Sequence, residues 1–236
     1  MSRIIDLYRK AKLIYRTEGL VSLLWRGFRF LVYCVFEYRS YWLYSERPND
    51  IPALNEADFM PKIGDFIPKV VSSNAEADEL EAHGFEFRSQ IPNAREILDG
   101  GAIALCIFVG RELANMGWLV TSQHAMDILG GPPCRVDFAG KEIVGTGAWT
   151  NPKYRRLRLR AYNRFMSLKV SQERGVEVKR GVIAKKNVTA MKSRASRNDP
   201  YAEGRYLRIL WWKSWRERPL SVEEQEAIRQ TNEPRS

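Results

Sequence analysis

The chain has 236 residues, 44% of them hydrophobic and 11% aromatic, so it can bury a core and is not disordered by composition. Its formal charge of +10 predicts attraction to phosphates, acidic lipids or nucleic acid, without choosing among them. The three widely spaced cysteines argue against a disulfide framework, and the two histidines, His83 and His124, argue against a zinc site, so we expect a reduced compartment and no metal.

Residues 1–47 are rich in aromatic residues, leucine and arginine, and their spacing predicts an amphipathic helical arm. Arg26 and Arg29 interrupt the most apolar stretch, which is therefore too short to span a membrane. Aromatic residues flanked by arginines suit an anionic membrane surface, which residues 1–45 would contact. The alternative is that the arm packs on the rest of the protein or on a second subunit of a homodimer. We therefore expect a cytoplasmic protein, free or peripheral at the inner membrane face.

Four prolines in residues 48–68 predict an extended linker. A mixed pattern of strands and helices follows. It begins with the strand KVVSS and the helix NAEADELEAHG, for which Asn74 is the predicted N-cap and Gly84 the end. The next predicted elements are the helix PNAREILDGG, a hairpin of the strands AIALCIFVG and LANMGWLV, and the strand KEIVGTGAWT.

The stretch NPKYRRLRLRAYNR, residues 151–164, carries five arginines and one lysine and leads into a helix that ends at Gly175. The strand VEVKRGVIA, the short helix NVTAMKSRASRN and one aromatic strand, YLRILWWKSW, come next. Residues 221–236 begin with a capping box, Ser221 and Glu224, and predict a short C-terminal helix. The order predicts an α/β domain over residues 69–220, with a mixed sheet of about six strands and helices on both faces.

This element order resembles the GCN5-related N-acetyltransferase (GNAT) family over residues 69–215, and the phrases TNPKYR, GVEVKRGVIAKKN and NVTA carry the resemblance. The resemblance implies that acetyl-CoA or another acyl-CoA is the co-substrate and that an amine, on a small molecule or a protein, attacks it directly. It also implies that backbone groups of Trp149, Thr150 and Asn151 position the pantetheine arm, and that Asn187 lines the far side of the cofactor.

The phosphate loop departs from the family pattern, Arg/Gln-x-x-Gly-x-Gly/Ala. With Arg155 aligned to its first residue, Arg158 and Arg160 stand where the family has glycine. In one interpretation Arg155, Arg156, Arg158 and Arg160 bind the CoA phosphates through their guanidinium groups. In a second, the strip is a basic surface for lipid or nucleic acid. In a third, Arg156, Arg160 and Arg164 form a solvated helix face.

The proton-transfer groups are harder to assign. The tyrosine that the family places seven residues after Asn187 is Arg194 here, so Tyr201 is the substitute candidate for protonating the thiolate. His124 is the candidate base, and other carboxylates near the predicted strands are Glu112, Asp137 and Glu142.

The resemblance thus implies an acyl-CoA-dependent N-acyltransferase. The alternative is a non-catalytic module of the same fold that binds a membrane or a partner. The tryptophans at 211, 212 and 215 favour packing, and no nucleic-acid-binding module is recognisable, so nucleic acid is not an expected partner.

Overall fold

The computed structural model describes residues 35–51, 54–195 and 198–232. The chain forms two compact units, one of residues 1–40 with 205–216 and the other of residues 41–204 with 217–236. Within the described ranges, no helix is both long and apolar enough to cross a bilayer.

Eight strands form one sheet: β1 Phe36–Glu46, β2 Phe66–Val71, β3 Ile103–Val109, β4 Glu112–Val120, β5 Glu142–Thr150, β6 Val178–Ala184, β7 Ala202–Ile209 and β8 Trp212–Pro219. The helices are α1 Asn74–Ala82, α2 Ala94–Asp99, α3 Gln123–Leu129, α4 Leu159–Glu173, α5 Val188–Ala195 and α6 Val222–Asn232. The strand order is β2-β3-β4-β5-β6-β1-β7-β8. Strands β5 and β6 run parallel, whereas β2, β3, β4 and β5 form successive antiparallel pairs, so the sheet is mixed.

Both faces of the central strands are buried. On one face, Ile103, Leu105 and Ile107 of β3 join a core cluster with residues of α4. On the other face, Phe108 packs edge-to-face on Phe85, with ring centroids 5.2 Å apart. A strand buried on both faces reads as a continuous apolar run, which is why β3 was predicted correctly. The predicted fold class, a mixed α/β sheet covered on both faces, is confirmed.

The structure corrects the strand count, because the described residues form eight strands and the prediction was about six. Phe36–Glu46 form β1, although the predicted helical arm extended to residue 47. The rest of that arm, residues 1–34, lies outside the described residues. The aromatic segment predicted as one strand is a hairpin of β7 and β8, which turns at residues 210 and 211.

Local capping explains several helix boundaries. Ser73, one residue before the predicted Asn74, caps α1, because its hydroxyl accepts the Glu76 N–H at 3.2 Å. The predicted capping box of α6 is confirmed: Glu224 N–H donates to Ser221 Oγ at 3.2 Å, and Ser221 N–H donates to the Glu224 carboxylate at 3.0 Å. Gly175, at φ 62°, follows the end of α4 as predicted.

Candidate functional site: the opening between two parallel strands

Strands β5 and β6 separate along their length. They pair from Glu142 with Val178 to Gly145 with Gly181. Beyond that pair β5 continues to Thr150 and β6 to Ala184, and no ladder joins them in the described part of the chain. Their outer edges stay paired, β5 with β4 and β6 with β1. The neighbouring strands therefore hold the two apart and keep a gap in the middle of the sheet.

A bulge in β5 lies beside this gap. The register between β4 and β5 shifts between Met116 and Trp118, opposite residues 147 and 148. Gly147 has φ 61°, and a Cβ there would lie 2.7 Å from Cδ1 of Trp118. Only glycine combines this backbone conformation with this close approach, and the bulge bends β5 where the gap opens.

A cavity of about 250 Å³ occupies the gap on the side of α4. The strands contribute mostly small residues to its wall, among them Gly145, Gly147 and Gly181. Helix α4 contributes a polar face, formed by Arg160, Asn163, Arg164 and Ser167. These four positions recur at helical spacing, so one side of an otherwise well-packed helix points at the opening.

The cavity wall is cationic. Arg160, Arg164 and Lys179 all line it, and the side chain of Lys179 is only 8% exposed. Glu46, at the end of β1, forms an ion pair with Arg164 and lies 3.9 Å from Nζ of Lys179. One buried carboxylate beside three cations leaves the cavity positive, which favours an anionic ligand.

Ser167 supplies a second sign that the cavity takes a ligand. The residue is 5% exposed and lines the cavity, and its hydroxyl makes no hydrogen bond to any described residue. A buried hydroxyl without a partner costs about 1–3 kcal/mol. Its neighbour Asn163, by contrast, donates to the Leu105 carbonyl at 2.8 Å. A bound molecule or water in the cavity would satisfy Ser167.

A second, apolar cavity of about 30 Å³ shares Gly145, Thr146 and Val182 with the first. The rest of its wall is mainly apolar and comes from β4, β5, α3 and the segment after α3. It comprises Val120, Met126, Leu129, Gly131, Pro132, Cys134 and Val144. Burial raises the pKa of Cys134 to about 11, so this side chain is a neutral thiol. A polar and an apolar cavity therefore meet at the gap between β5 and β6.

Of the four loop arginines predicted to bind phosphate, Arg160 alone is among the residues that line the cavity. Arg155 and Arg156 are exposed, and Arg158 donates to the Asp58 carbonyl at 2.6 Å. Arg156 and Arg158 have φ of 66° and 60°, the left-handed conformation that glycine favours. The loop thus keeps a glycine-type backbone at Arg158, the first glycine position of the family pattern, without glycine. Arg160 and Arg164 both line the cavity, although Arg160 is also exposed to solvent, as the solvated-face interpretation predicts.

The segment predicted to position the pantetheine arm, Trp149, Thr150 and Asn151, is hydrogen-bonded to β4 and does not line the cavity. Asn115 donates to the Trp149 carbonyl at 2.8 Å and to Thr150 Oγ1 at 2.7 Å. The Asn151 N–H donates to the Ala114 carbonyl at 2.9 Å. Asn187 does line the cavity, and its side chain caps α5 by accepting the Ala190 N–H at 3.1 Å.

Tyr201, the candidate acid, belongs to a charged cluster on the opposite face of β6 from Lys179. Its hydroxyl accepts a hydrogen bond from Arg180 at 2.8 Å, and Arg180 binds both oxygens of Glu142 at 2.5 Å. Burial raises the pKa of Tyr201, and the Arg180 charge opposes that rise. The hydrogen bond from Arg180 is the first cause that lowers the pKa of Glu142.

The remaining acid–base candidates either lie outside both cavities or make local hydrogen bonds. His124 is exposed on α3, a helix that the sequence analysis did not predict, and neither cavity described above includes His124 or Tyr201 in its wall. Glu112 accepts hydrogen bonds from Lys153 and Tyr154, both at 2.6 Å, and these lower its pKa. Asp137 accepts the Gly140 N–H at 2.9 Å, inside a turn.

The sequence reasoning missed Ser167 and Lys179 and did not recognise Arg164 as part of a site. The polar face of α4 was visible in the sequence as Arg160, Asn163, Arg164 and Ser167 at helical spacing. Lys179 stands in a strand of mixed character, and no sequence pattern marks it. Among the described residues, no group of three or more histidines, cysteines and carboxylates is placed to hold a metal.

No protein-family model and no curated protein matches the sequence. Similar solved structures include a conserved protein of unknown function from Staphylococcus epidermidis, with 12% identity, 88% of this chain and 79% of that chain covered, and a TM-score of 0.42. Another is the C-terminal domain of an Agrobacterium fabrum protein named as a lysylphosphatidylglycerol synthetase, with 10% identity, 64% and 50% coverage, and a TM-score of 0.36.

A third similar structure is a GCN5-related N-acetyltransferase from Kribbella flavida, with 14% identity, 70% of this chain and 54% of that chain covered, and a TM-score of 0.36. The chain thus spans about half the length of the last two proteins. At these values the likenesses assign no function, which has to be argued from the site itself.

Proposed function

We propose that the protein is an acyl-CoA-dependent N-acyltransferase that transfers an acetyl group to an amine. The observation that carries the proposal is the gap between β5 and β6, with a cationic cavity on one side and a small apolar cavity on the other. A molecule with phosphates at one end, a polar arm in the middle and a thioester at the other end matches that sequence of environments.

The strand edges fit the pantetheine arm. Past Gly145 and Gly181, the facing backbone groups of β5 and β6 have no ladder with each other. An extended ligand with amide groups can hydrogen-bond to such an edge as an added strand does. Glycine and alanine at positions 145, 147, 148 and 181 leave room for this approach.

The cationic face of α4 fits the phosphates. Arg160 and Arg164 would bind them with paired N–H donors, and Lys179 would add charge from β6. Ser167 would gain the hydrogen-bond partner it lacks, and Asn187 borders the same cavity from α5. In this proposal the side chains of α4 replace the backbone cradle that the missing glycines would have formed.

The apolar cavity fits a short acyl group. Its volume of about 30 Å³, close to the share of one water molecule in the liquid, has room for a methyl group but not for a long chain. This supports acetyl over longer acyl groups, and Met126 and Val182 are the side chains that would limit the chain length.

Acyl-CoA supplies an activated thioester: the amine nitrogen attacks its carbonyl carbon, the C–S bond breaks, and the thiolate takes a proton. Tyr201 is the candidate donor of that proton. Because its oxygen accepts a hydrogen bond from Arg180, its own O–H is free to point elsewhere, and its raised pKa keeps it protonated. The amine loses its own proton to water or to a base such as His124.

One observation favours the alternative, a protein that binds CoA without catalysis. Tyr201 and His124 are absent from the wall of both cavities, so no side chain at the meeting point of the cavities is an evident acid or base. That arrangement would allow binding and leave acyl transfer without a proton donor.

The test is a calorimetric titration of the full chain with acetyl-CoA, free CoA and butyryl-CoA, followed by thiol release in the presence of an amine panel. The proposal expects saturable binding of acetyl-CoA, weaker binding of butyryl-CoA, and thiol release that Tyr201→Phe slows. Binding without thiol release for any amine would support the non-catalytic alternative. No binding at millimolar CoA by a folded protein would refute both.

A further inference from the structure

The hairpin of β7 and β8 ends in exposed apolar residues. Ile209, Leu210, Trp211 and Trp212 are four consecutive exposed large side chains, and Trp211 is 86% exposed. Folded proteins rarely leave such a run in water, because each residue forfeits the gain of burial. Among the residues that the structure describes, these four side chains are not part of the buried core, so a role outside that core would account for them.

The turn itself is unfavourable for the fold. Leu210 and Trp211 form a two-residue connection, and Leu210 adopts φ 54°. Two-residue hairpin turns with positive φ normally use glycine, asparagine or aspartate. A bulky side chain in this conformation costs about 1–2 kcal/mol. The chain therefore accepts strain to present a leucine and a tryptophan at the tip.

The hairpin of β7 and β8 is strongly basic around its tip, the turn at residues 210 and 211. Residues 205–216 contain Arg205, Arg208, Lys213 and Arg216 and no carboxylate. The nearby carboxylate of Glu37 binds Arg208, at 3.1 Å, and also Arg39. Lys213 and Arg216 are exposed on β8. The apolar tip thus has exposed cations on its flank.

We propose that this hairpin tip, residues 209–213, inserts into the interface of an anionic lipid bilayer. Tryptophan rings occupy the headgroup region, aliphatic side chains reach the acyl boundary, and lysine or arginine binds the lipid phosphates. Two aliphatic residues, Ile209 and Leu210, favour lipid over single-stranded nucleic acid, which is bound by aromatic stacking. A second copy is disfavoured because its tip carries charge of the same sign.

The proposal is independent of acyl transfer, and it involves a different segment from residues 1–45, for which the sequence predicts membrane contact. It places the contact on a described hairpin, where exposed apolar side chains, turn strain and the exposed cations Lys213 and Arg216 coincide.

The experiment is co-sedimentation of the full chain with vesicles of phosphatidylcholine alone and of phosphatidylcholine with an equal part of phosphatidylglycerol. We expect partitioning to the anionic vesicles only, decreasing with salt, with a blue shift of tryptophan fluorescence. The double variant Trp211→Ala/Trp212→Ala should lower partitioning by about tenfold or more. Lys213→Gln should lower it about fivefold.

Leu210→Gly separates binding from folding. Glycine removes the turn strain, so this variant should keep or gain stability while it loses affinity for the vesicles. The matched controls lie elsewhere on the surface: Val222→Ser removes an exposed apolar side chain from α6, and Lys169→Gln removes an exposed cation from α4. Both should partition as the unaltered chain does.

Three results would overturn the proposal. The first is no partitioning of the folded full chain, and the second is partitioning that the tryptophan pair and Leu210→Gly leave unchanged. The third is that the same variants weaken binding to single-stranded RNA, or dissociate a dimer, without changing vesicle binding. The tip would then bind RNA or a second copy instead of lipid.

Discussion

Two groups of arginines follow each other in the chain and have different surroundings. Arg155, Arg156 and Arg158 belong to the loop before α4, where all three are exposed and Arg158 also donates to the Asp58 carbonyl. Arg160 and Arg164 belong to the helix and line the cavity between β5 and β6. Local charge density is as high in the loop as in the helix, yet only the helical pair shares a concave, partly buried site with Lys179 and Ser167.

The difference shows that position relative to the sheet decides which cations can bind a ligand strongly. Arg164 is half-buried, so its attraction to an anion is screened less than that of an exposed arginine. Arg160 is exposed like the loop arginines and differs from them in lining the cavity. The predictions below test whether the two groups differ in this way, starting with the largest expected effect.

Arg164→Ala should have the largest effect. It removes a cavity cation and the ion-pair partner of Glu46, whose side chain is 9% exposed. Loss of one member of a largely buried ion pair costs about 3 kcal/mol, and CoA affinity should fall more than about tenfold. Urea unfolding and calorimetry measure the two effects. The control is Arg174→Ala, at the exposed end of α4, and equal losses in both variants would contradict the expectation.

Arg160→Ala should weaken CoA binding by about tenfold, because it removes one charge-assisted phosphate contact. Arg155→Ala and Arg156→Ala, in the exposed loop, should each change the Kd less than about twofold. If the loop variants lose as much affinity as Arg160→Ala, the loop arginines are the phosphate site and the comparison above is wrong.

Arg156→Gly should stabilise the fold by about 0.5–1 kcal/mol, because glycine removes the strain of φ 66°. Arg155→Gly is a close control: Arg155 is also an exposed arginine, but its φ is −66°, so glycine should destabilise there. The free energy of unfolding in urea distinguishes them. A destabilised Arg156→Gly would show that the positive φ at position 156 is not strained. A stabilised Arg155→Gly would show that glycine stabilises this loop for a reason other than positive φ.

The smallest expected effect is on the pH dependence of stability. Arg180 neighbours Lys179 in β6, but its side chain binds Glu142 and does not line the cavity. Arg180 lowers the pKa of Glu142 below its ordinary 4.5. The stability from this pair is therefore complete above pH 4.5 and is lost as the pH falls through the lowered pKa. Glu142→Gln should unfold with a shallower pH dependence on the acid side. Glu177→Gln, an exposed carboxylate just before β6, should follow the unaltered chain, and identical acid profiles for all three proteins would refute this.

Only part of the candidate site was predicted from the sequence. The helix that carries Arg160 was predicted because an apolar stripe and Gly175 define it, and Asn187 was predicted from the family phrase. Arg164 appeared only in the third interpretation, as part of a solvated helix face, because a sequence does not show what packs against a helix. Its partner Glu46 is 118 residues away, in a strand that the aromatic composition had suggested was helical.

The sequence by itself determined the elements whose signals are local. The apolar run of β3, the capping box of α6 and the glycine that ends α4 follow from periodicity and from hydrogen bonds within a few residues. The tertiary structure alone decided the strand order, the separation of β5 from β6 beyond Gly145, and the meeting of Lys179 with Glu46. It also decided the turn at Leu210, where strand pairing overrides turn chemistry. These features depend on contacts between segments far apart in the chain, and local patterns do not encode such contacts.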